Sequence, residues 1–399
     1  MPGCPAAGPT ESLTLGEVLR AALPDFARIH RLPAHHWKVL RAIAACHTPA
    51  LGGHQYTCTH CGREHFVPHS CGNRHCPTCQ RLNGAQWLEA QTDHLLPIPY
   101  FHVVFTLPHE LNPLVQHNQA PLYSLLFASA TATLLEFGRN NLQATLGITA
   151  VLHTWGQNLG DHYHLHCLVT GGGVSLDGTH WVARRPTWLF PVRALSVVFR
   201  AKFRDGLQQL FDAHQLHFPK GPPNLAEPLA WRRWLRRACR RKWVVYTKPP
   251  FAGPQAVLAY LCRYTHRVAI TNRRLEALDR AHGTVTFRYR DYAHGGTFRS
   301  MTLSLPEFVR RFCLHILPPR FVKIRHYGLL ANRDRPARIA HARALLGQVP
   351  GGPEPALPIP LHVPHVEPPP LVCPYCGHAT LVLIQVIPRP RAPSAWDSS

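Results

Sequence analysis

Three histidines alternate along residues 161–173, where the sequence reads DHYHLHCLVTGGG. A β-strand sends every second side chain to the same face, so His162, His164 and His166 are predicted to share one face while the apolar residues between them face a core. Clustered neutral imidazoles are suitable ligands for a divalent metal ion. We therefore predict a metal site at His164 and His166. A site with only two or three protein ligands keeps positions open for catalysis.

A second predicted strand precedes this one, with the sequence ITAVLHTWG at 148–156, and a short polar turn joins the two. The resulting hairpin would place His153 opposite the pair His164 and His166, where it would be the third metal ligand. His162 and Gln157 flank the same turn and are the alternatives for this third position.

Two tyrosines lie four residues apart in the sequence GPQAVLAYLCRYTHRVAI at 253–270, which begins with a Gly-Pro pair typical of a helix start. Tyr260 and Tyr264 are predicted to share a helix face. Their neighbours on that face are Arg263 and Arg267, and this favours a functional role over a place in the core. A phenol with a pKa near 10 is a weak nucleophile at neutral pH, so a metal that polarises a phosphate would assist its attack. The pattern predicts phosphotyrosine chemistry, with two tyrosines for two successive transfers.

Two Cys-x-x-Cys pairs, Cys58 with Cys61 and Cys76 with Cys79, are separated by fourteen residues. Two such pairs complete a tetrahedral thiolate site for zinc, and four protein ligands leave no open position. The predicted role is therefore structural. Zinc binding would supply folding energy to a segment that has little core of its own.

Other cysteines and histidines leave alternatives open. One group lies close to the two pairs in the sequence: Cys46, His69, Cys71 and His75. This group would form a second metal site or consist of ordinary hydrogen-bonded side chains. Near the end of the chain, CPYCGH places Cys373 and Cys376 as one half of a similar site, either an incomplete knuckle or a ligand pair at an interface.

The charge balance favours a polyanionic partner. Lys and Arg number 43 against 21 Asp and Glu, and the formal net charge is +22. Such an excess attracts nucleic acid by steering and by counterion release. A membrane surface would instead call for a lysine-rich amphipathic helix or a lipidation signal, and neither is evident in the sequence. We expect DNA as the partner and no membrane association.

A basic, aromatic segment with the sequence WRRWLRRACRRKW occupies residues 231–243. Its arginines are predicted to pair with phosphates and its tryptophans to stack on unpaired bases, whereas a solvated basic helix face is the alternative. A second basic stretch, residues 310–328, fits a single strand equally well. The predicted DNA-binding arginines are Arg232, Arg233, Arg236, Arg237, Arg240, Arg241, Arg263 and Arg267.

The N-terminal sequence MPGCPAAGPTESL has no apolar run behind basic residues, and we expect neither a secretory signal nor a membrane-spanning helix. In a reducing compartment, paired cysteines are more often metal ligands than disulfides. These features predict a cytoplasmic protein.

Several segments together resemble one family. His164-Leu165-His166 matches the histidine–hydrophobic–histidine signature of HUH endonucleases, and YLCRYTHRVAI resembles the two-tyrosine motif of rolling-circle insertion-sequence transposases. The segments TPALGGH, NRHCPTCQ, PYFHVVFTLP, HTWGQNL, LHCLVTGGG and KIRHYGLLANR resemble that group in the same order. The resemblance covers roughly residues 35–335.

The resemblance implies an α+β fold with an HUH-endonuclease-like central antiparallel sheet flanked by helices, and a small N-terminal helical, zinc-binding domain. The expected domains are residues 1–95 for zinc and DNA binding, 96–335 for catalysis, and a Pro-rich tail at 336–399 with its Cys-x-x-Cys pair. The resemblance implies Mg²⁺ or Mn²⁺ at His164 and His166. It also implies cleavage of one DNA strand at the element's end, which leaves a 5′-phosphotyrosine and a free 3′-OH.

Host replication proteins are the further partners that this function would involve, and the bacterial nucleoid is the expected location. Two other functions are compatible with part of the sequence. A plasmid replication initiator or relaxase would use the same chemistry, although no helicase domain is evident. A non-catalytic, zinc-containing DNA-binding regulator would explain the charge and the cysteines but would leave the histidine strand and the tyrosine pair without a role.

Overall fold

The computed structural model describes residues 13–80, 94–183, 189–218, 224–248, 268–347 and 371–389. The chain divides into two compact units, and neither is a single continuous segment. The cysteine unit comprises Met1–Asn83, Val268–Ile316 and Leu361–Ser399. The histidine unit comprises Gly84–Arg267 and Leu317–Pro360.

This division differs from the three consecutive domains that we predicted. Residues 268–316, which we placed in the catalytic domain, belong with the N-terminal segment, and the C-terminal pair Cys373 and Cys376 belongs there as well. The C-terminal segment joins the N-terminal one because strand Leu381–Ile387 pairs with strand Gly53–Cys58. Residues 268–316 join it because helix Leu305–Cys313 packs on helix Leu15–Ile29. Local sequence patterns record neither contact.

The described α-helices are α1 Leu15–Ile29, α2 Ala34–Ala44, α3 Asn112–His117, α4 Gln119–Leu142, α5 Val192–Asp212, α6 Pro228–Arg240, α7 Leu305–Cys313 and α8 Arg335–Gly347. The described strands are β1 Gly53–Cys58, β2 Glu64–Pro68, β3 Tyr100–Thr106, β4 Ala144–Trp155, β5 Asp161–Ser175, β6 Trp181–Ala183, β7 Val245–Lys248, β8 Leu275–Asp279, β9 Thr284–Asp291, β10 Thr297–Ser304, β11 Ile324–Gly328 and β12 Leu381–Ile387. Short 3-10 turns occur at Pro49–Leu51, His109–Leu111, Asn272–Arg274 and Tyr292–His294.

The histidine unit is built on an antiparallel sheet with the strand order β11-β4-β5-β3-β7, to which β6 adds by pairing with β5. Strands β4 and β5 form the predicted hairpin. The two long strands alternate side chains between the faces of the sheet. The mixed α+β class with antiparallel sheets is thus confirmed.

One face of this sheet covers the main hydrophobic core. Tyr163, Leu165 and Cys167 of β5 are fully buried there, among residues of α4 and α5. The opposite face is covered in part by α8, whose Ile339 belongs to a second apolar cluster with Leu168. Burial of both faces fixes the register of β5, because a one-residue slip would move every histidine into the main core.

Helix α4 is, by length and composition alone, apolar enough to cross a membrane. Half of its apolar stretch is buried inside the protein. Leu122, Leu126 and Phe127 are fully buried in the main core of the histidine unit. This packing accounts for its apolar character as that of a core helix.

The cysteine unit begins with α1, whose first turn carries a capping box: the Thr14 side chain accepts from the Glu17 backbone N–H, and the Glu17 carboxylate accepts from the Thr14 backbone N–H at 2.7 Å. Helix α1 packs on α2 and α7. Two three-stranded antiparallel sheets complete the unit, with the orders β12-β1-β2 and β10-β9-β8. The cysteine-bearing turns lie at the ends of the first of these sheets.

Candidate functional site

The predicted histidine ligands meet on the central hairpin of the histidine unit. His153 of β4 lies directly opposite His164 of β5 in the strand register, and His166 lies opposite Val151. One ligand nitrogen from each of the three histidines lies within 4.8 Å of those of the other two. The hairpin therefore brings together His153, His164 and His166, the set that the sequence predicts.

The three imidazoles are nearly enclosed. Exposed fractions are 3% for His153 and 9% for both His164 and His166. Three nitrogen donors so close together, on a strand pair whose other face is apolar, fit a divalent cation with open coordination positions. An all-nitrogen set is better suited to Mn²⁺ than to Mg²⁺, which prefers oxygen ligands.

The hydrogen bond of His164 orients its ring for metal binding. Its Nδ1 lies 2.7 Å from the backbone carbonyl oxygen of His162. A carbonyl oxygen only accepts, so Nδ1 carries the proton and donates it. Nε2 then holds the lone pair that a metal ion requires.

His102 is a functional candidate that the sequence analysis missed. It stands on β3, and its Nε2 lies 2.8 Å from Nδ1 of His166, with the two rings stacked. Burial is the main cause that lowers the pKa of His102 to about 3, and the nearby Lys248 and His164 act in the same direction, so His102 is neutral at physiological pH. If His166 binds a metal through Nε2, it donates its Nδ1–H to His102. The only sequence signal was one histidine in an otherwise apolar strand.

His162 lies beside the three-histidine group. In the part of the chain that the structure describes, it is not a member of that group. Its ring centroid is 4.6 Å from that of His164 and 5.9 Å from that of His109. Burial, together with His109, lowers the pKa of His162. The geometry therefore favours His153, rather than His162, as the third member of the ligand group.

The predicted nucleophiles, Tyr260 and Tyr264, lie outside the described residues, as do Arg263 and Arg267. Their roles stay predictions.

The eight cysteines near the predicted zinc site form two groups, and this corrects the single set that we predicted. Cys76 and Cys79 lie with Cys46 and Cys71, whereas Cys58 and Cys61 lie with Cys373 and Cys376. The two pairs that looked like one site by spacing therefore do not share a site. The β1–β2 hairpin separates the two turns. Cys76 and Cys79 take Cys71 from their own turn and Cys46 from before β1, whereas Cys58 and Cys61 take both partners from the segment before β12, which pairs with β1.

The first cysteine group joins the loop after α2 to the turn of residues 71–79. The sulfur of Cys46 lies 3.6 Å from that of Cys79 and 3.7 Å from that of Cys76, and Cys71 lies 3.6 Å from Cys79. Four sulfurs about 2.3 Å from a zinc ion would lie about 3.8 Å apart in a tetrahedron. The donors and their spacing thus fit a structural zinc ion.

Most of the basic segment at 231–243 lies in helix α6, which ends at Arg240, and its tryptophans are structural. Trp231 is 0% exposed and Trp243 is 3% exposed, both within the main core. Trp234 is partly buried and packs against the same core. The prediction that these indoles stack on DNA bases is wrong for Trp231 and Trp243, because burial closes both faces of each ring. The six predicted arginines of this segment are all exposed.

Arginines of the neighbouring helix α5 extend part of the arginine-bearing surface of α6. Arg200 and Arg204 of α5 stand four residues apart, as do Arg232, Arg236 and Arg240 of α6. Together they line a groove of about 500 Å³ with Leu235 and Cys239. The contribution of α5 was missed because its arginines are spread among apolar residues of an amphipathic helix. Rows of guanidinium groups on two helices are suited to a phosphate backbone.

The second basic stretch, 310–328, is divided between the two units. Residues up to Ile316 belong to the cysteine unit, and the remainder, from Leu317, belongs to the histidine unit. Phe312 and Phe321 are 2% and 8% exposed. Arg310 and Arg311 both bind Glu307, and Arg310 with Arg311 holds the pKa of that carboxyl at about 2 against the opposing effect of burial. The proposed role of this stretch in binding a single strand stays a prediction, with two of its arginines already paired to a carboxylate.

Comparison with known proteins gives consistent matches. A family described as "Transposase zinc-binding domain" matches residues 18–107, and one described as "Putative transposase" matches residues 147–337. A protein of Sinorhizobium fredii named "Putative transposase y4qJ" is 44% identical over 394 residues, which cover 96% of each chain. The "Transposase for insertion sequence element IS801" of Pseudomonas savastanoi pv. phaseolicola is 31% identical over 302 residues, which cover 73% of this chain and 69% of the relative. No solved structure matches the chain.

Proposed function

The chain belongs to the IS91 family of rolling-circle transposases with an N-terminal zinc-binding domain, and on this basis we propose how it acts on DNA. The protein nicks and rejoins single-stranded DNA at the ends of its element through a 5′-phosphotyrosine intermediate. The observation that carries the proposal is the group formed by His153, His164 and His166, held on one hairpin within 4.8 Å.

The three imidazoles would hold Mn²⁺ or Mg²⁺. When bound, such a cation polarises the scissile phosphate and neutralises its negative charge. The protein's own contribution is to keep the ligands neutral and oriented. His164 is fixed by the His162 carbonyl and His166 by His102, and the apolar core behind β5 resists rotation of the strand.

The phenol of Tyr260 or Tyr264 is the nucleophile. Its oxygen attacks the phosphorus, a new P–O bond to tyrosine forms, and the P–O3′ bond breaks. The phenol loses its proton and the departing 3′ oxygen gains one, so the products are a 5′-phosphotyrosine and a free 3′-OH. A later attack by a 3′-OH reverses the step and rejoins DNA without ATP, and the second tyrosine allows one end to stay bound while another reacts.

The DNA strand is held by cationic side chains. Arg232, Arg236 and Arg240 face the groove with Arg200 and Arg204, and these five side chains provide sites for successive phosphates. Arg233, Arg237 and Arg241 extend the basic surface of the same segment. We place the protein in the bacterial cytoplasm at the nucleoid, where host replication proteins would supply the single strand.

A covalent-trapping experiment tests this function. The protein is incubated with labelled single-stranded DNA that carries the element end and with Mn²⁺, and a denaturing gel then reports any covalent adduct. The wild-type protein should form an adduct, and the Tyr260→Phe/Tyr264→Phe double variant should not. A wild-type protein that binds this DNA but forms no adduct would instead be a DNA-binding regulator.

The role of the histidines is tested separately. His164→Ala should abolish the adduct while DNA affinity, measured by fluorescence anisotropy, stays close to that of the wild type. The reason is that the phosphate-binding arginines lie on other elements. An equal loss of binding would identify His164 as a structural residue of the sheet.

A further inference from the structure

The second cysteine group is built from two turns of the same design. The segment Cys58–Gly62 reads CTHCG and Cys373–Gly377 reads CPYCG. In each turn the glycine N–H donates to the carbonyl of the first cysteine, at 2.8 Å and 2.9 Å. Both glycines have positive φ, 70° and 76°, which other residues rarely adopt. Two equivalent knuckles thus face each other from opposite ends of the chain.

A further hydrogen bond repeats in both knuckles. The N–H of Cys58 donates to the carbonyl of Arg63 at 3.0 Å, and the N–H of Cys373 donates to that of His378 at 2.8 Å. In each case the acceptor stands five residues after the first cysteine. This second pair of bonds closes both turns in the same way and directs both thiols of each turn toward one point.

The strands that adjoin the knuckles are paired. Strand β1 ends at Cys58, and β12 begins soon after Cys376 and runs antiparallel to β1 from Leu381 to Ile387. The N–H of Thr59 also donates to the carbonyl of Thr380 at 3.0 Å. This arrangement aligns the two knuckles at the same end of the sheet β12-β1-β2.

The sulfur positions match a metal rather than disulfides. Sγ of Cys58 lies 3.6 Å from that of Cys376, and Sγ of Cys61 lies 3.8 Å from that of Cys373. A disulfide requires about 2.0 Å, whereas the sulfurs of a tetrahedral zinc thiolate lie about 3.8 Å apart. All four ligand atoms lie within 4.8 Å of one another.

We propose that the chain binds a second zinc ion in a ribbon closed by its own C-terminal knuckle, with Cys58, Cys61, Cys373 and Cys376 as the ligands. The hydroxyl oxygen of Thr380 lies 3.1 Å from Sγ of Cys58 and donates its proton to that thiolate. Cys373 and Cys376 lie outside the residues that match the zinc-binding family. The C-terminal end is therefore a structural part of the N-terminal zinc-binding unit.

Burial alone does not explain how β12 is held. The side chains of Val382, Ile384 and Val386 are 54%, 55% and 52% exposed. A strand that buries so little apolar surface gains little from the hydrophobic effect. Coordination of zinc by residues 312 positions apart, as for Cys61 and Cys373, supplies that missing stability.

Metal analysis of the full-length protein tests the proposal. Purified wild-type protein should contain two zinc ions per chain, one for each cysteine group. The Cys373→Ser/Cys376→Ser variant should contain one. The single variant Cys376→His should keep two, because imidazole also binds zinc. Cys239→Ser, at a half-buried cysteine outside both groups, is the matched control and should keep two.

Cobalt substitution gives a readout on the wild-type chain that does not depend on the folding of any variant. The metal-free protein titrated with Co²⁺ should bind two equivalents and develop the absorption bands of tetrahedral thiolate coordination for both. Three results would each overturn the proposal. The wild type could bind only one equivalent of Co²⁺ with thiolate bands, the purified wild type could contain one equivalent of iron per chain in place of the second zinc ion, or Cys373→Ser/Cys376→Ser could keep two zinc ions.

Discussion

Nε2 of His102 lies 2.8 Å from Nδ1 of His166, across two neighbouring strands of the central sheet. This hydrogen bond connects the candidate metal ligand His166 to His102, a buried residue outside the three-histidine group. Partners of this kind fix the ring orientation and the position of the proton.

We expect His102→Phe to weaken Mn²⁺ binding and DNA nicking by about 10- to 100-fold, because the ring of His166 loses its hydrogen-bond partner. His102→Gln should recover much of both activities, since the glutamine carbonyl oxygen can accept from Nδ1–H. Isothermal titration with Mn²⁺ measures the first effect and the adduct assay measures the second. A tolerated His102→Phe with a damaging His102→Gln would show that His102 serves packing alone.

The groove lined by arginines of α5 and α6 leads to a separate prediction for DNA affinity. Arg236→Ala/Arg240→Ala should weaken binding of single-stranded DNA uniformly across sequences and reduce the slope of log K against log salt by about 1.4, the value for two lost phosphate contacts. Anisotropy titrations at several salt concentrations measure this slope. The matched control is Arg233→Ala/Arg237→Ala, which removes two exposed arginines from the same helix with the same spacing but outside the groove. Identical losses in the two variants would rule out a special role for the groove.

The burial of Trp231 predicts a loss of stability rather than a loss of DNA contacts. Its ring is stacked on Phe211 with centroids 4.7 Å apart, and its indole N–H donates to Gln208 at 3.0 Å. Trp231→Ala should lower the free energy of unfolding by about 3–5 kcal/mol, as measured by urea denaturation. The affinity of the folded protein for DNA should change little. Weaker DNA binding at unchanged stability would restore the base-stacking interpretation.

Acid sensitivity of the cysteine unit is predicted from His36 in α2. Burial and the neighbouring His35 lower the pKa of His36 from 6.5 to about 4. Between these two values the unfolded chain binds a proton on His36 that the folded protein does not, so stability falls as the pH falls through this window. The thermal midpoint of the wild type should therefore drop more between pH 7 and about 5 than that of His36→Gln. Parallel curves would show that His36 is protonated equally in both states.

Much of the histidine site was predictable because its determinants are local. Alternation along β5 placed His164 and His166 on one face, and the short turn to β4 brought His153 opposite them. His102 was not predictable in the same way. Its strand, β3, pairs with β5, but more than fifty residues separate the two strands along the chain. A single histidine in an apolar strand does not indicate which residue it will contact.

The cysteine sites show the same limit more sharply. The spacing of Cys58, Cys61, Cys76 and Cys79 identified four ligands but grouped them in one site. A Cys-x-x-Cys pair reports that two thiols can share a metal, and it contains no information on which other pair completes the tetrahedron. Strand pairing between β1 and β12 made that choice.

The sequence by itself determined the chemistry: neutral imidazoles on a strand, paired thiols, a basic helix and the family to which they belong. Only the tertiary structure decided the partners, namely Cys373 and Cys376 for one cysteine pair, Arg200 and Arg204 for the basic helix, and the core for Trp231. The reason is physical. Residue type and periodicity act over a few residues of chain, whereas these contacts depend on how distant segments pack to bury apolar surface and satisfy their backbone hydrogen bonds.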